Sequence, residues 1–349
     1  MAKVKVLVVD DSVVVRKVVS EILSRDSEIE VVGTAENPLI AREKIKQLNP
    51  DVLTLDVEMP EMDGVTFLRN LMRLRPMPVV MLSTLTTEGA DITLEALELG
   101  AVDFIAKPRS DLAKGLERFA QDLITKVKAA ASSRAALQRL QAMKRTRKPA
   151  TLVNASGRIN SSGIIAIGAS TGGTEAIRDV LIELPREVPP IVITQHIPES
   201  FSGRFANRLN TVCALSVCEA QSGQKLEPGC AYIAPGNKHL EIVAESGGYR
   251  CRLSDDEPVN RHRPAVDKMF DSLLQCQPRN VTAVLLTGMG NDGAAGMLAL
   301  RKAGAYTVAQ DEQSSLVWGM PGSAVKMNAA VQVKPLSRIA SVIMDQISK

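Results

Sequence analysis

Short apolar runs recur along the chain, and most are followed by a segment whose apolar positions repeat every three to four residues. In the first third the runs are Val4–Val9, Ile29–Val32, Val52–Leu55, Val79–Leu82 and Ala101–Ile105. After the first, Val15, Val18, Val19, Ile22 and Leu23 mark one helical face; after the last, Leu112, Leu116, Phe119, Leu123 and Val127 mark another. Short continuous runs suit strands buried on both faces, and the longer period suits amphipathic helices. Five βα units in series predict a parallel, doubly wound sheet, because parallel neighbours need helical crossovers. A second series begins at Ile164, with strands expected at Ile164–Ile167, Ile191–Thr194, Leu215–Cys218, Ala231–Ala234, Ala283–Thr287 and Tyr306–Ala309. Ser246-Gly247-Gly248 between His239–Val243 and Tyr249–Leu253 predicts an antiparallel hairpin. The second half is therefore also α/β, with a mainly parallel sheet and a different strand order.

Charge divides the two series. From Lys126 to Arg158 there are nine Lys and Arg residues and no Asp or Glu, so the overall charge of +3 is local and the remainder is net acidic. Rich in Ala and Ser, the stretch reads as a helix extension fraying into a solvated linker. The expected division is 1–125, a basic linker at 126–160, and 161–349. Aromatic residues at 3% leave little to stack on bases, which argues against a nucleic-acid partner. No apolar run has membrane-spanning length, and Met1-Ala2-Lys3-Val4-Lys5 leads into a strand, not a signal peptide. A cytoplasmic protein without membrane insertion is expected, with a monomer as the default. The five cysteines are odd in number and lack C-x-x-C spacing, which favours reduced, packed thiols over disulfides or zinc.

What stands at the strand ends carries the chemistry of the first half. Asp10 and Asp11 follow the first strand, Asp56 ends the third, Ser83-Thr84 the fourth, and Lys107-Pro108 follows the fifth. Carboxyl ends of an open parallel sheet share one edge, where ligands bind. Three carboxylates, a hydroxyl and an ammonium would meet there. The acids suit Mg²⁺, and the ammonium and hydroxyl suit the oxygens of a phosphoryl group on Asp56. Taken singly, Asp10 and Asp11 could cap a helix and Lys107 could be a surface counter-ion; their joint placement argues for a pocket.

Asp10-Asp11, Asp56 followed by Met59-Pro60-Glu61-Met62-Asp63-Gly64, Ser83 and Lys107-Pro108 resemble a response-regulator receiver domain, over about residues 1–125. The resemblance implies a five-stranded, flavodoxin-like fold in which Asp56 takes a phosphoryl group from a histidine kinase. It implies that Asp10, Asp11 and Asp56 bind Mg²⁺, and that Ser83, Phe104 and Lys107 read out phosphorylation.

In the second half, Gly168-Ala169-Ser170-Thr171-Gly172-Gly173 runs from a strand into a glycine-flanked turn with a serine at its apex. Such a turn can project a hydroxyl while backbone N–H groups point toward an oxyanion. The spacing is not G-x-G-x-x-G, and no acid ends the next strand, so a dinucleotide site is disfavoured. Ser170 needs a base. His196 follows the next strand and so stands at the same edge; His239 opens a strand, and His262 lies in a polar loop that the sequence does not place. His196 is the expected base. Asp292, in the loop after the strand ending at Thr287, could hold the imidazole, or could simply cap the helix Ala294–Ala303.

These motifs, with Gln195-His196-Ile197-Pro198, Tyr232-Ile233-Ala234-Pro235-Gly236, Arg261-His262-Arg263-Pro264-Ala265-Val266-Asp267, Leu286-Thr287-Gly288-Met289-Gly290-Asn291-Asp292-Gly293-Ala294 and Gly319-Met320-Pro321, resemble the methylesterase domain of CheB-type chemotaxis proteins. The resemblance implies a Ser170, His196, Asp292 triad, an oxyanion contact from the backbone of Met289, and support of the histidine by the Thr171 hydroxyl. It implies hydrolysis of glutamate γ-methyl esters on chemoreceptors with release of methanol, and deamidation of receptor glutamines as a further activity. It requires no cofactor for that step, and implies that the unphosphorylated receiver covers the active site. Gly322 departs from the pattern, where arginine is expected in many relatives. The competing readings are a non-enzymatic adaptor and a DNA-binding regulator. The long α/β output, with its basic charge ahead of it, disfavours the latter.

Overall fold

The computed structural model describes residues 3–60, 62–84, 87–107, 113–146, 152, 159–276 and 280–348. Glu61, Pro108, Leu112, Arg147, Lys148 and Arg158, which figure in the sequence reading, lie outside the described residues. The chain forms two compact units, Met1–Thr146 and Arg147–Lys349.

The first unit runs β1 (Val4–Val9), α1 (Val13–Ser24), β2 (Ile29–Ala35), α2 (Pro38–Leu48), β3 (Val52–Asp56), α3 (Gly64–Leu74), β4 (Val79–Ser83), α4 (Thr87–Leu99), β5 (Asp103–Ala106), α5 (Ala113–Ser132) and α6 (Arg134–Thr146). All its strands pair in parallel, in the order β2-β1-β3-β4-β5. Every residue of β3 and β4 is buried, as the unbroken apolar runs require. Helix α1 turns Val19, Ile22 and Leu23 inward, and its cap is Ser12, whose hydroxyl accepts from Val15 N–H.

The first part of the basic stretch is not a solvated tether. Residues 126–132 complete α5 and 134–146 form α6. Lys126 lies 2.8 Å from Asp103, Lys128 pairs with Asp26 and Glu28, and Arg134 lies 3.1 Å from Asp51. Leu137 is buried on the α6 face that carries Arg134 and Gln141, and Gln141 reaches Met72. The acidic partners lie far away in sequence, so composition alone made these cations look unpaired.

The second unit runs β6 (Ile164–Ala169), α7 (Gly173–Leu181), β7 (Ile191–Gln195), α8 (Glu199–Val212), β8 (Ser216–Glu219), β9 (Cys230–Ile233), β10 (His239–Glu245), β11 (Gly248–Ser254), α9 (Val266–Cys276), β12 (Val281–Leu285), α10 (Ala294–Lys302), β13 (Tyr306–Gln310), α11 (Met320–Lys326), β14 (Gln332–Lys334) and α12 (Leu336–Ile347). Seven strands form a parallel sheet in the order β14-β13-β12-β6-β7-β9-β8. Strands β10 and β11 form the anticipated antiparallel hairpin, as a sheet of their own. The hairpin is tied to α9 through Ile242 N–H and the Ser272 hydroxyl. Edge strand β14 has three residues, too few to show as an apolar run.

Strand order fixes where a site can form. From central β6 the chain moves outward through β7 on one side, then returns to β12 on the other and continues outward to β13. The crevice between β6 and β12 is thus a topological switch point, the usual place for a ligand on an open α/β sheet.

Candidate active site and acidic pocket

Ser170, His196 and Asp292 follow β6, β7 and β12, three adjacent strands with β6 in the middle. After β6 the chain turns sharply, with Gly172 at φ 75° and Gly173 N–H bonded back to Ser170 O at 2.6 Å. That φ is open to glycine and strained for other residues. The turn is fixed from both sides: Ser170 N–H donates to Thr287 O at 3.0 Å, and the Gln195 amide donates to Ser170 O at 2.9 Å. Gly288 sits against the serine, since a Cβ there would lie 2.8 Å from Ser170 Cβ and 2.3 Å from Met320 Sδ.

The imidazole of His196 bridges the other two side chains. Its Nδ1 lies 3.1 Å from Ser170 Oγ and its Nε2 lies 2.8 Å from Asp292 Oδ2. With the ring proton on Nε2, donated to the acid, Nδ1 is left as an acceptor for the serine hydroxyl. The ring is reversed relative to the serine-protease template, where Nε2 faces the serine. His262 stacks on it, with ring centroids 3.6 Å apart and planes 12° from parallel.

Asp292 is 1% exposed and accepts four bonds. Oδ2 takes His196 Nε2 and Val266 N–H at 2.6 Å, while Oδ1 takes the Asn260 amide at 2.8 Å and Asp267 N–H at 3.1 Å. Burial pushes the carboxyl up, but His196, Asn260 and the Val266 N–H outweigh it and hold it at about 2. The helix that Asp292 caps is α9, not the α10 that follows it in sequence. Met289 N–H donates to no acceptor among the described residues. Thr171 is buried beside Ser170, with its carbonyl accepting from the Thr287 hydroxyl. Gly322 packs against the Trp318 ring, which leaves a Cβ at that position only 3.0 Å from the ring.

In the first unit the carboxyl ends of β1, β3, β4 and β5 also converge. Asp10, Asp11 and Asp56 offer oxygens that lie within 4.8 Å of one another. Lys107 Nζ is 2.8 Å from both Asp10 Oδ2 and Asp56 Oδ1, so one ammonium is shared between two buried carboxylates. Clustered carboxylate oxygens with so little opposing charge fit a hard divalent cation. Burial raises the Asp56 carboxyl to about 6 against the pull of Lys107. Gly64 allows the loop after β3 to close over it, since a Cβ there would lie 1.9 Å from Asp56 O. Ser83 Oγ lies 2.7 Å from Thr93 Oγ1 of α4. Phe104 is buried, with Lys126 Nζ 5.3 Å from its ring centroid.

Residues 165–343 match the CheB methylesterase family, and residues 6–116 match the response regulator receiver domain. The chain belongs to the CheB methylesterase family. A Xanthomonas campestris protein named protein-glutamate methylesterase/protein-glutamine glutaminase 1 is 56% identical, covering 97% of this chain and 95% of its own. One from Salmonella typhimurium, named protein-glutamate methylesterase/protein-glutamine glutaminase, is 50% identical, covering 100% and 98%. The crystal structure of the Thermotoga maritima CheB methylesterase catalytic domain superposes with a TM-score of 0.51 at 35% identity, covering 54% of this chain and 98% of that one. The first unit is thus a receiver domain and the second a CheB methylesterase domain. Asn260 and Asp267 were not read from the sequence as parts of this site, and His262 was weighed only as a base that the sequence could not place. Their signals were the polar loop Asn260–Pro264, which pattern alone could not place, and the motif Arg261–Asp267, which carried the resemblance without giving these residues a role.

Gly288→Ala should displace Ser170 and slow its labelling by a fluorophosphonate probe about 10²-fold, the scale of an ångström's misplacement. At the acidic pocket, protonation of Asp56 removes a ligand charge. Mg²⁺ affinity should therefore weaken as pH falls through about 6, and an Asp56→Asn variant should lose most of that pH dependence in a Mg²⁺ titration.

Proposed function

We propose that this protein hydrolyses γ-methyl esters of glutamate side chains on chemoreceptors, releasing methanol, and deamidates receptor glutamines at the same site. The observation that carries the reading is the continuous path of hydrogen bonds from Ser170 through His196 to buried Asp292. Ser170 Oγ attacks the γ-carbonyl carbon while its proton passes to His196 Nδ1. Ionised Asp292 steadies the imidazolium through Nε2–H, an interaction strengthened by its low-dielectric surroundings. The carbonyl oxygen takes up negative charge and is met by backbone N–H groups, with Met289 N–H the chief candidate. Collapse of the tetrahedral intermediate expels the methoxy group, which leaves as methanol with the proton from His196. Water then attacks the acyl-enzyme, again giving its proton to His196, and the γ-carboxylate departs as Ser170 recovers its hydrogen. With a glutamine substrate the leaving group is ammonia. Thr171 supports the histidine from beside the nucleophile.

The receiver supplies control. Asp56 accepts a phosphoryl group from a histidine kinase, and Asp10, Asp11 and Asp56 would hold Mg²⁺, which neutralises phosphoryl charge when bound. Lys107 and Ser83 would receive phosphoryl oxygens. Ser83 and Phe104 then change partners, and this shift relieves repression of the methylesterase domain. The protein is read as a cytoplasmic monomer. Among the described residues no helix is long and apolar enough to cross a membrane.

Ser170→Ala should abolish methanol release from methylated receptor, a loss on the order of 10⁶ in kcat. Asp292→Asn should retain the fold and lose on the order of 10⁴, through the wrong tautomer; no methanol release from either wild type or Ser170→Ala would leave the adaptor reading standing. A fragment beginning at Asn160 should be more active than the unphosphorylated full chain, and a small-molecule phosphodonor with Mg²⁺ should narrow that gap in the same assay.

A further inference from the structure

Asn260 places its side-chain amide between two buried acids. Nδ2 lies 2.8 Å from Asp292 Oδ1 and 2.8 Å from Asp267 Oδ2. Its φ of 52° is in the left-handed region, which asparagine tolerates better than most residues with a side chain. The two acids cap each other's helices. Asp292 stands just ahead of α10 but accepts from Val266 and Asp267 N–H at the start of α9. Asp267, in the first turn of α9, accepts from Gly296 N–H of α10 at 2.7 Å. This crossing draws together two carboxylates that are 1% and 8% exposed. Two buried acids at close range tend to share one proton unless donors stand between them. A proton resting on Asp292 would take away the charge that faces His196.

We propose that Asn260 is a positioning residue for the hydrolysis: its amide hydrogens hold Asp292 and Asp267 as two separate carboxylates, so that Asp292 stays ionised toward His196. The inference rests on the reading of Ser170, His196 and Asp292 as the hydrolytic residues. An amide suits this place because it donates to both acids and has no proton to surrender to either. An ammonium in its place would compete with His196 for the charge of Asp292, and a carboxylate would add a third acid. Burial and the charge of Asp292 both push the Asp267 carboxyl up, as expected where the separation of the two acids depends on a donor.

The groups around the amide are Arg261 and His262 on its own loop, Asp267, Lys268 and Asp271 on α9, Asp292 ahead of α10, and His196 beyond it. All are common to wild type and variants, so the ratio of variant to wild-type kcat/KM isolates position 260. Asn260→Asp preserves shape and the left-handed preference. Protonated, the new carboxyl can donate to one of the two acids where the amide donates to both; ionised, it donates to neither and sets a third negative charge against Asp292. Its kcat/KM for methanol release, relative to wild type, should fall by about tenfold or more between pH 6 and pH 9. Asn260→Ala should be lowered by a similar factor at all pH values. Recovery of the aspartate variant on returning the same sample to low pH distinguishes the effect from unfolding. A flat ratio for Asn260→Asp, or a wild-type rate for folded Asn260→Ala, would overturn the proposal. Absence of Ser170-dependent methanol release in the wild type would instead overturn the hydrolase reading itself.

Discussion

A carboxylate that is 1% exposed stays charged only if other groups replace the water it has lost, and Asp292 has four of them. Two are N–H groups at the start of α9, where the unpaired backbone donors of a helix favour an anion. The third is the Asn260 amide and the fourth is His196. The remainder of the site is arranged around that anion. It fixes the face of the imidazole ring and therefore which nitrogen is left for Ser170. It also draws the loop after β12 across to α9. The crossed capping by Asp267 makes the arrangement mutual, so that neither helix start is satisfied without the other's acid.

The sheet explains why three residues so far apart in sequence can meet. Parallel pairing puts every strand's carboxyl end on one side, and the order β12-β6-β7 makes the three loops neighbours. This much could be read from residues, because apolar runs locate strands and the polar residue after each run is then bound to that edge. Asp10, Asp56, Ser83 and Lys107 in the first unit follow the same logic, and their strands are neighbours too. What escaped the sequence did not depend on strand ends. His262 and Asn260 sit in a loop with two successive residues of positive φ, Asn260 at 52° and Arg261 at 68°. Its path is set by contacts with α9 and the loop after β12, and no local pattern encodes that. His239 could be placed at the head of the hairpin, but the pattern did not show that the hairpin is a sheet of its own, where burial pushes the imidazole down.

The ambiguity over Asp292 has an instructive answer. Proximity in sequence suggested a cap on α10, and a carboxylate just ahead of a helix is ordinarily that. Here the acid is turned to the neighbouring helix, while Asp267 takes the role that Asp292 leaves. Capping and orientation of the histidine are then compatible in one side chain, because the helix start that stabilises the charge also fixes its direction. The same economy holds at the acidic pocket, where Arg16 donates to the carbonyls of Asp10 and Asp11 at 2.7 and 2.8 Å and so steadies the loop without occupying the carboxylates.

Helix α6 bears on how this receiver can be used as a portable part. The recognisable receiver sequence stops well before it, yet Arg134 neutralises Asp51, Lys128 serves Asp26 and Glu28, and Leu137 is shielded from water. A chimera that joins the sensor to a foreign output at residue 125 would strip those anions of their counter-ions. Modular engineering should therefore place the splice beyond Thr146, where the first compact unit ends.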